Sequence, residues 1–542
     1  MENSKVKSRK TIRIPRLGKA DTTKILLSAI FISSVFIPLI RMLAYMDSDS
    51  IRRVLDSPNF GTAIKNSLVS SILSTVITVI LAFTLALCIQ RTGIKLKTVF
   101  STTFMLPMLI PSISIGMGLT ILFGNNGVIT KLLSLNENIY GLQGIVMGSV
   151  MYAFPVAYLM LADVIRYEDG SPYEAAKILG IPRWRQLKNI MFPYLRKPLI
   201  SVVFSVFTLT ITDYGVPLMV GGKYTTVASV MYQEVIGQLN FGKGAVYGSF
   251  LLIPAVIAFL IDLFNKDKGN SSYVTKPCAM SDSRILKAFA YVFSILTVVF
   301  TFLPIFAFIL QAFTTDYPNN LSFTLDNVSH ALRLRADEYL INSIIIALCT
   351  ATLGVIIAFL TAYLSARMKS KTSRFLHLSA MTSAAIPGVV LGLSYVLTFN
   401  TTPIYGTLII LIMVNIVHFI ASPYLMMYNS LSKINENLES VASTMAISRM
   451  HMIKDVFIPQ CKFTLLEMFS YFFVNCMMTI SAVSFLATTM NKPVSLMINQ
   501  FEAQMQLEEA AVVSLMILLV NLIIKLVVYV IKGISNRKIV SK

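Results

Sequence analysis

Long apolar runs constrain this chain more than any other feature, because about 20 apolar residues are enough to cross a lipid bilayer as a helix. Over the 542 residues, 55% are hydrophobic, 13% are charged and the mean hydropathy is +0.71. Inside a bilayer every backbone donor and acceptor needs a partner within the protein, so runs of this length must be helical. We therefore predict an all-α polytopic membrane protein with about twelve spans, roughly residues 25–46, 67–90, 99–123, 144–164, 199–220, 246–264, 288–313, 341–365, 376–399, 407–427, 463–487 and 511–531.

The basic residues indicate how these spans are oriented. The formal net charge is +20, with 46 Lys and Arg residues against 26 Asp and Glu residues. A nucleic-acid partner is not expected, because the basic residues lie between apolar spans rather than on one soluble face. Most of them fall on the inner side when both termini are cytosolic, which is the orientation that the positive-inside rule favours. We expect a multi-pass protein of the cell membrane, with basic cytosolic tails at residues 1–24 and 533–542.

The chain contains two copies of one unit. The segment Ile64-Lys65-Asn66-Ser67 matches Leu340-Ile341-Asn342-Ser343 at an offset of 276 positions, and Arg91 matches Arg367 at the same offset. Later in each copy the offset is 266 positions, as the pair Tyr158 and Tyr424 shows. Such a repeat predicts two parallel six-helix halves. The predicted divisions are a first half at residues 25–266, a cytosolic linker at 267–287 and a second half at 288–532.

A charged segment between two apolar spans carries the clearest motif. It reads EAAKILGIPRWRQLKNIMFP, from Glu174 to Pro193, within a predicted cytosolic loop at residues 163–197. The segment resembles the EAA loop of importer permeases in the ATP-binding-cassette (ABC) family, whose short helix docks into a groove on a separate ATPase subunit. The resemblance implies ATPase-coupling roles for Glu174, Ala175, Ala176, Gly180, Ile190 and Pro193.

A second copy of this loop, at residues 431–462, keeps the spacing of the motif but not all of its characteristic residues. It contains SVASTMAISRMHMIKDVFIP, in which Ser440 replaces Glu174 and Ala446 replaces Gly180. A carboxylate in the first turn favours the helix dipole, and glycine permits a sharp turn, so we expect unequal docking strength at two ATPases. The alternative is that each loop is only a solvated amphipathic hairpin. This alternative is less favoured because the loop occurs twice, at matching positions of the repeat. The equivalent coupling residues are Ser440, Ala442, Ala446, Val456 and Pro459.

A second motif follows the first loop. The residues Thr212-Asp213-Tyr214-Gly215-Val216-Pro217 are similar to the D-[FY]-G-x-P segment of fused permeases in the iron(III), thiamine and aminoalkylphosphonate import group. An ionisable group in a membrane span is costly unless it faces water or a partner, so Asp213, Gly215 and Pro217 are tentative translocation-pathway residues. An equally weighted alternative places Asp213 at the outer boundary, where it caps the following loop.

The resemblance implies a permease subunit of an ABC importer, with a MetI-like core in each half. Its expected partners are two copies of a cytosolic ATPase, an extracytoplasmic solute-binding protein and the lipid bilayer. Iron(III) ranks first as solute, then an aminoalkylphosphonate, then thiamine or a polyamine. The sequence lacks a phosphate-binding Gly-x-x-x-x-Gly-Lys-[Ser/Thr] loop and His–carboxylate clusters, so we expect no catalytic residues, metal site or cofactor. Two alternatives remain: an ion-coupled secondary transporter with two six-helix halves, and a membrane scaffold that transports nothing.

Overall fold

The computed structural model describes residues 19–134, 139–265, 278 and 283–540, and these residues are mainly helical. Several helices of the first half stop where proline or glycine interrupts the apolar sequence. The helices of this half are α1 Lys19–Phe31, α2 Ile37–Ala44, α3 Ser48–Leu55, α4 Pro58–Arg91, α5 Lys97–Thr103, α6 Ser112–Phe123, α7 Val128–Leu132, α8 Leu142–Arg166, α9 Ser171–Ile178, α10 Arg183–Gln186, α11 Phe192–Ile211, α12 Gly215–Val220, α13 Val227–Tyr232 and α14 Phe241–Asn265.

The second half adds a short antiparallel hairpin before its helices. Its two strands pair Thr314 with Phe323 and Asp316 with Asn320. The elements of this half are α15 Arg284–Phe313, β1 Thr314–Asp316, β2 Asn320–Phe323, α16 Asp326–Arg333, α17 Ala336–Arg367, α18 Lys371–Thr382, α19 Gly388–Phe399, α20 Leu408–Phe419, α21 Ala421–Ser432, α22 Asn437–Thr444, α23 Arg449–Met452, α24 Ile458–Gln460, α25 Lys462–Met478, α26 Ser495–Ala503 and α27 Leu507–Val540.

The number of membrane-spanning helices differs from the prediction of twelve. The described residues contain 9 helices long and apolar enough to cross a membrane, or up to 11 if each of two bent pairs is one span. The bent pairs are α18 with α19, at 110°, and α20 with α21, at 54°. The predicted run at 463–487 stops being helical at Met478, which leaves α25 with 17 residues. Hydropathy detects apolar length but not backbone breaks, and this accounts for the difference.

The internal repeat is confirmed by the helices themselves. The loop helices α9 and α22 occupy residues 171–178 and 437–444, which are related by the predicted offset of 266 positions. The same offset relates the first residues of α14 and α27, Phe241 and Leu507. Each half therefore places its EAA-like loop at the same point between equivalent helices. We call the end of the helical bundle that carries these loops the loop face, and the opposite end the far face.

The first span of each half packs against the other half. Helices α1 and α2 contact α18 and α19, while α15 contacts α6 and α4. The buried Lys24 of α1 donates from Nζ to the carbonyl of Met368 at 3.2 Å. Tyr395 of α19 donates to the carbonyl of Ser34 at 2.8 Å. Two membrane halves that exchange their first spans share one packed core, because each needs the other to cover its apolar surface.

The helix ends differ from the predicted domain limits. Helix α1 begins at Lys19, α15 begins at Arg284 within the predicted linker, and α27 continues to Val540 within the predicted tail. Most of the predicted amino-terminal tail and linker lies outside the described residues. The division of the chain into domains stays a prediction.

Candidate functional site

Each EAA-like loop is a short helix closed by the same sharp turn. After α9 the turn residue is Gly180, with φ of +67°, and after α22 it is Ala446, with φ of +52°. In the first loop the amide of Ile181 donates to the carbonyl of Ala176 at 2.9 Å, and Ile447 makes the equivalent bond to Ala442 at 2.9 Å. This is the Schellman arrangement, in which a left-handed residue ends a helix. The second loop thus keeps the turn that the sequence argument tied to glycine.

The loop helices bury one face and expose the other. Ala176 and Ala442 are buried against the bundle, whereas Glu174 and Ser440 are exposed. Apolar side chains are exposed next to them: Ile178 is 87% exposed, Leu179 74% and Met445 66%. Clustered exposed apolar residues are unusual on a protein surface without a partner. The two loops therefore present matching surfaces suited to contact with another protein.

The remaining predicted coupling positions lie where each loop returns to the bundle. Ile190 and Val456 are half-buried in equivalent π-helical turns at residues 187–191 and 453–457. Pro193 and Pro459 follow these π-helical turns directly, as the second residues of α11 and α24. Helix α9 thus connects through α10 to α11, and the loop is joined to the interior of the bundle.

Asp213 lies in the break between α11 and α12. Its carboxylate accepts hydrogen bonds from the hydroxyl of Ser112 at 2.6 Å, the amide of Val216 at 3.0 Å and the amide of Gly215 at 3.3 Å. The Asp213 carboxylate therefore caps amides at the start of α12, and whether Asp213 also belongs to a translocation pathway stays a prediction. Pro217 fits the first turn of α12, where its missing amide hydrogen is tolerated.

The depth of Asp213 in the bundle follows from its position relative to the neighbouring helix α14. Asn265 at the end of α14 donates to the carbonyl of Lys197 at 2.7 Å, so these two residues lie at the same level of the bundle. At 1.5 Å per residue, Asp213 lies about 24 Å further along, whereas α14 extends about 36 Å from Asn265 to Phe241. Asp213, which is half-buried, therefore lies about two thirds of the way along the length of α14. Its place on a translocation pathway stays a prediction.

The equivalent break in the second half faces the first one. Helix α25 ends at Met478, at the position that corresponds to Thr212. A Cβ added at Gly215 would lie 2.4 Å from Ser112 Oγ, and one added at Gly388 would lie 2.1 Å from Ser481 Oγ. Gly215 corresponds to Ser481, and Ser112 corresponds to Gly388. The same glycine–serine contact therefore occurs in both halves, with the positions of the glycine and the serine interchanged. The same added atom at Gly215 would lie 3.0 Å from Ile480 Cδ1, which brings the two breaks together at the interface between the halves.

Polar side chains from both halves meet beside these breaks. The hydroxyl groups of Tyr214 and Ser484 are hydrogen bonded at 2.7 Å. The rings of Tyr214 and Tyr232 stack with centroids 4.6 Å apart. Asn499 Nδ2 donates to the Tyr232 hydroxyl at 3.4 Å, and Asn499 Oδ1 is buried without a protein partner. An unpartnered buried oxygen at the interface between two halves is a group that a passing solute or water can satisfy.

Sequence reasoning identified Asp213 but missed most of this polar group. Tyr214 belongs to the motif already quoted, whereas Ser484 and Asn499 occur in a region that reads as an apolar span or its flank. The offset of 266 positions was the available signal, since it places Ser484 near the counterpart of the first break. Among the described residues, no three His, Cys, Asp or Glu side chains are grouped so that they could hold a metal ion.

Known transport proteins resemble this chain over most of its length. It is 27% identical over 461 residues to the ferric transport system permease protein FbpB of Actinobacillus pleuropneumoniae, covering 81% of this chain and 66% of that protein. It is 28% identical over 459 residues to the putative ferric transport system permease protein FbpB 1 of Haemophilus influenzae, covering 81% and 72%. The thiamine transport system permease protein ThiP of Haemophilus influenzae is 25% identical over 308 residues, covering 54% and 55%. The chain thus spans about two thirds of the length of the two ferric permeases.

The family comparison matches each half separately. Residues 74–266 and residues 352–541 both match the family described as "Binding-protein-dependent transport system inner membrane component". Together these segments are more than half of the chain, and they contain both EAA-like loops and both breaks. This protein therefore belongs to the binding-protein-dependent family of ABC importer permeases, as a fused chain with two copies of the permease domain.

Proposed function

We propose that this chain forms the translocation pathway of an ABC importer and couples it to two separate ATPase subunits through its EAA-like loops. The observation that carries the proposal is the pair of loop helices, α9 and α22. Each ends in a left-handed turn of the same type, and each exposes apolar residues at the same face of the bundle. One loop could be a solvated hairpin. Two equivalent exposed surfaces on one face fit two copies of the same partner.

The loops are connected to the interior breaks through helices that follow them directly in the chain. In the first half, residues from Trp184 to Ile211 form one helical span that leads directly to Asp213. In the second half, α23 to α25 lead to the break after Met478. Motion of the loops can thus change how the two breaks meet. ATP shifts this equilibrium if the closed ATPase pair binds one conformation of the loops better than the other.

The proposed solute is iron(III), followed by an aminoalkylphosphonate, thiamine or a polyamine. The two ferric permeases support this order, since they match more of the chain at higher identity than the thiamine permease does. The groups at the breaks agree with a hard cation, because carboxylate, hydroxyl and amide oxygens suit such ions. A binding protein outside the membrane is the proposed source of the solute, and both termini and both loops are proposed to lie in the cytosol of a prokaryotic cell.

Reconstitution tests this function directly. The permease is placed in proteoliposomes with its ATPase subunit, and a solute-binding protein loaded with radioactive iron(III) is added outside. We expect uptake that needs ATP on the loop-face side and that stops with a non-hydrolysable analogue. Uptake driven by an ion gradient without ATP would instead identify a secondary transporter, and failure to bind any ATPase would exclude the coupling role.

A further inference from the structure

The last residue of each long helix, Arg91 of α4 and Arg367 of α17, holds the EAA-like loop of its own half. Arg367 is nearly fully buried, at 3% side-chain exposure, and its Nε and Nη2 both donate to the carboxylate of Glu439 in α22. Its Nη1 donates to the carbonyl of Ile434 at 2.7 Å, and its Nη2 to that of Asn435 at 2.9 Å. A planar guanidinium can make several such bonds at once, which gives the contact a defined geometry.

Arg91 makes the corresponding contact in the first half through a different carboxylate. It pairs with Glu168, whose side chain is 2% exposed, and Glu168 also accepts from the hydroxyl of Tyr173. The Arg91 guanidinium lies 5.3 Å from the centre of the Tyr173 ring. Burial, together with the hydrogen bond to Glu168, raises the pKa of Tyr173, so its hydroxyl stays protonated and donates.

The two halves reach this contact with their carboxylates at different positions. At the offset of 266 positions, Glu439 stands where the first half has Tyr173, and Ile434 stands where it has Glu168. The arginine keeps its place while the acidic residue changes. The feature that both halves share is therefore the attachment of the helix end to the loop.

The opposite part of each long helix is attached to the chain that follows the break. Ser67 Oγ accepts from the amide of Val227, at the start of α13, at 2.8 Å. Ser343 Oγ accepts from the amide of Val494, just before α26, at 2.7 Å. The neighbouring asparagines repeat the pattern, since Asn66 Nδ2 donates to the carbonyl of Thr225 at 3.0 Å.

The second asparagine completes the symmetry. Asn342 Nδ2 donates to the carbonyl of Met490 at 3.4 Å. The repeated Asn-Ser pair found in the sequence thus has a structural role at the far-face end of α4 and α17. Within each helix, 24 residues separate this pair from the arginine, a distance of about 36 Å at 1.5 Å per residue.

We propose that α4 and α17 are transmission rods, in which Arg91 and Arg367 are positioning residues that attach the loops and Ser67 and Ser343 attach the segments beyond the breaks. Each rod joins the loop to the far-face segment of its half by a path separate from α11 and α25. When a loop moves, the segments before and after the break of that half then move together. This role rests on the proposed function, because it requires an ATPase to move the loops.

The test follows ATP-dependent motion at the far face of the complete permease–ATPase complex in nanodiscs. Spin labels replace Leu239 and Met490, which are 71% and 86% exposed, and their separation is measured with and without a non-hydrolysable ATP analogue. We expect Arg367→Gln to leave ATPase binding intact and to reduce the population that changes separation roughly five- to tenfold, the lower part of the range typical of coupling between distant sites. The matched control is Lys369→Gln, which removes an exposed ion pair between Lys369 and Glu436 of the same loop.

A milder pair of variants protects the test against misfolding. Ser343→Ala removes one hydrogen bond without burying a charge, and we expect the same loss of far-face motion. Ser70→Ala in α4 is its control, because the Ser70 hydroxyl bonds within its own helix, to the carbonyls of Asn66 and Ser67. Combining Ser343→Ala with Arg367→Gln should add little, since both interrupt one rod.

The outcomes separate the rods from the proposed function. Far-face motion that persists in Arg367→Gln and Ser343→Ala, or that falls equally in the control variants, overturns the rod proposal alone. Wild-type protein that binds no ATPase, or shows no change of separation with the analogue, overturns the proposed function and the rods with it.

Discussion

Exchanging glycine and alanine between the two loop turns should change ATPase binding in opposite directions. Gly180 and Ala446 both have left-handed backbone conformations, with φ of +67° and +52°. An L-residue with a Cβ pays about 1–2 kcal/mol in this conformation, whereas glycine does not. No atom lies within 4 Å of a Cβ added at Gly180, so the cost of Gly180→Ala is a backbone cost only.

The magnitude follows from this difference. If the free loop relaxes and docking restores the turn, Gly180→Ala should weaken ATPase binding by about 1 kcal/mol, or roughly fivefold in Kd. Gly180→Val should weaken it further, because a β-branched residue is disfavoured there. Ala446→Val should have the smaller increment, since Ala446 already bears part of the cost. Ala446→Gly should strengthen binding by roughly fivefold.

Titration of the ATPase subunit against permease in nanodiscs measures these Kd values. Gly533→Ala is the control, because Gly533 lies near the loop face at the end of α27, has open space around its Cβ position and lacks the left-handed conformation. Wild-type affinity for Gly180→Val, or weaker binding for Ala446→Gly, would refute the assignment of these turns to ATPase docking.

Three further predictions concern topology and the central breaks. Cysteines placed at Lys188 or Lys454 should react with impermeant reagents only from the cytosolic side; labelling from outside sealed cells would reverse the proposed orientation. Asp213→Asn should lower iron(III) uptake several-fold while ATPase assembly and membrane abundance stay unchanged, because it removes the charge but keeps the volume. Normal uptake would leave Asp213 as a cap only, and loss from the membrane would make it a folding residue. Gly215→Ser should impair uptake through its clash with Ser112 Oγ, and adding Ser112→Gly should restore part of it, since the second half has this exchanged arrangement; no recovery would contradict the contact at the break.

Features that depend on local order along the chain could be predicted from the amino-acid sequence. Apolar length indicates where spans occur, and the repeat offset relates α9 to α22 because each loop helix is encoded by its own residues. The position of the turn at Gly180 also follows from a local motif. The number of spans was less accessible, since a break such as that after Met478 leaves the hydropathy unchanged.

Contacts between residues far apart in the sequence became known from the folded structure. Ser112 and Asp213 are 101 positions apart, and Tyr395 lies 361 positions from its partner Ser34. Arg91 and Arg367 align in the sequence, but their carboxylates do not, because Glu168 and Glu439 occupy different positions of the repeat. The packing of the helices determines which side chains can reach each arginine. A carboxylate at any of several positions can then form the ion pair. The left-handed turn at Ala446 likewise could not be inferred from its residue type, because alanine disfavours this conformation.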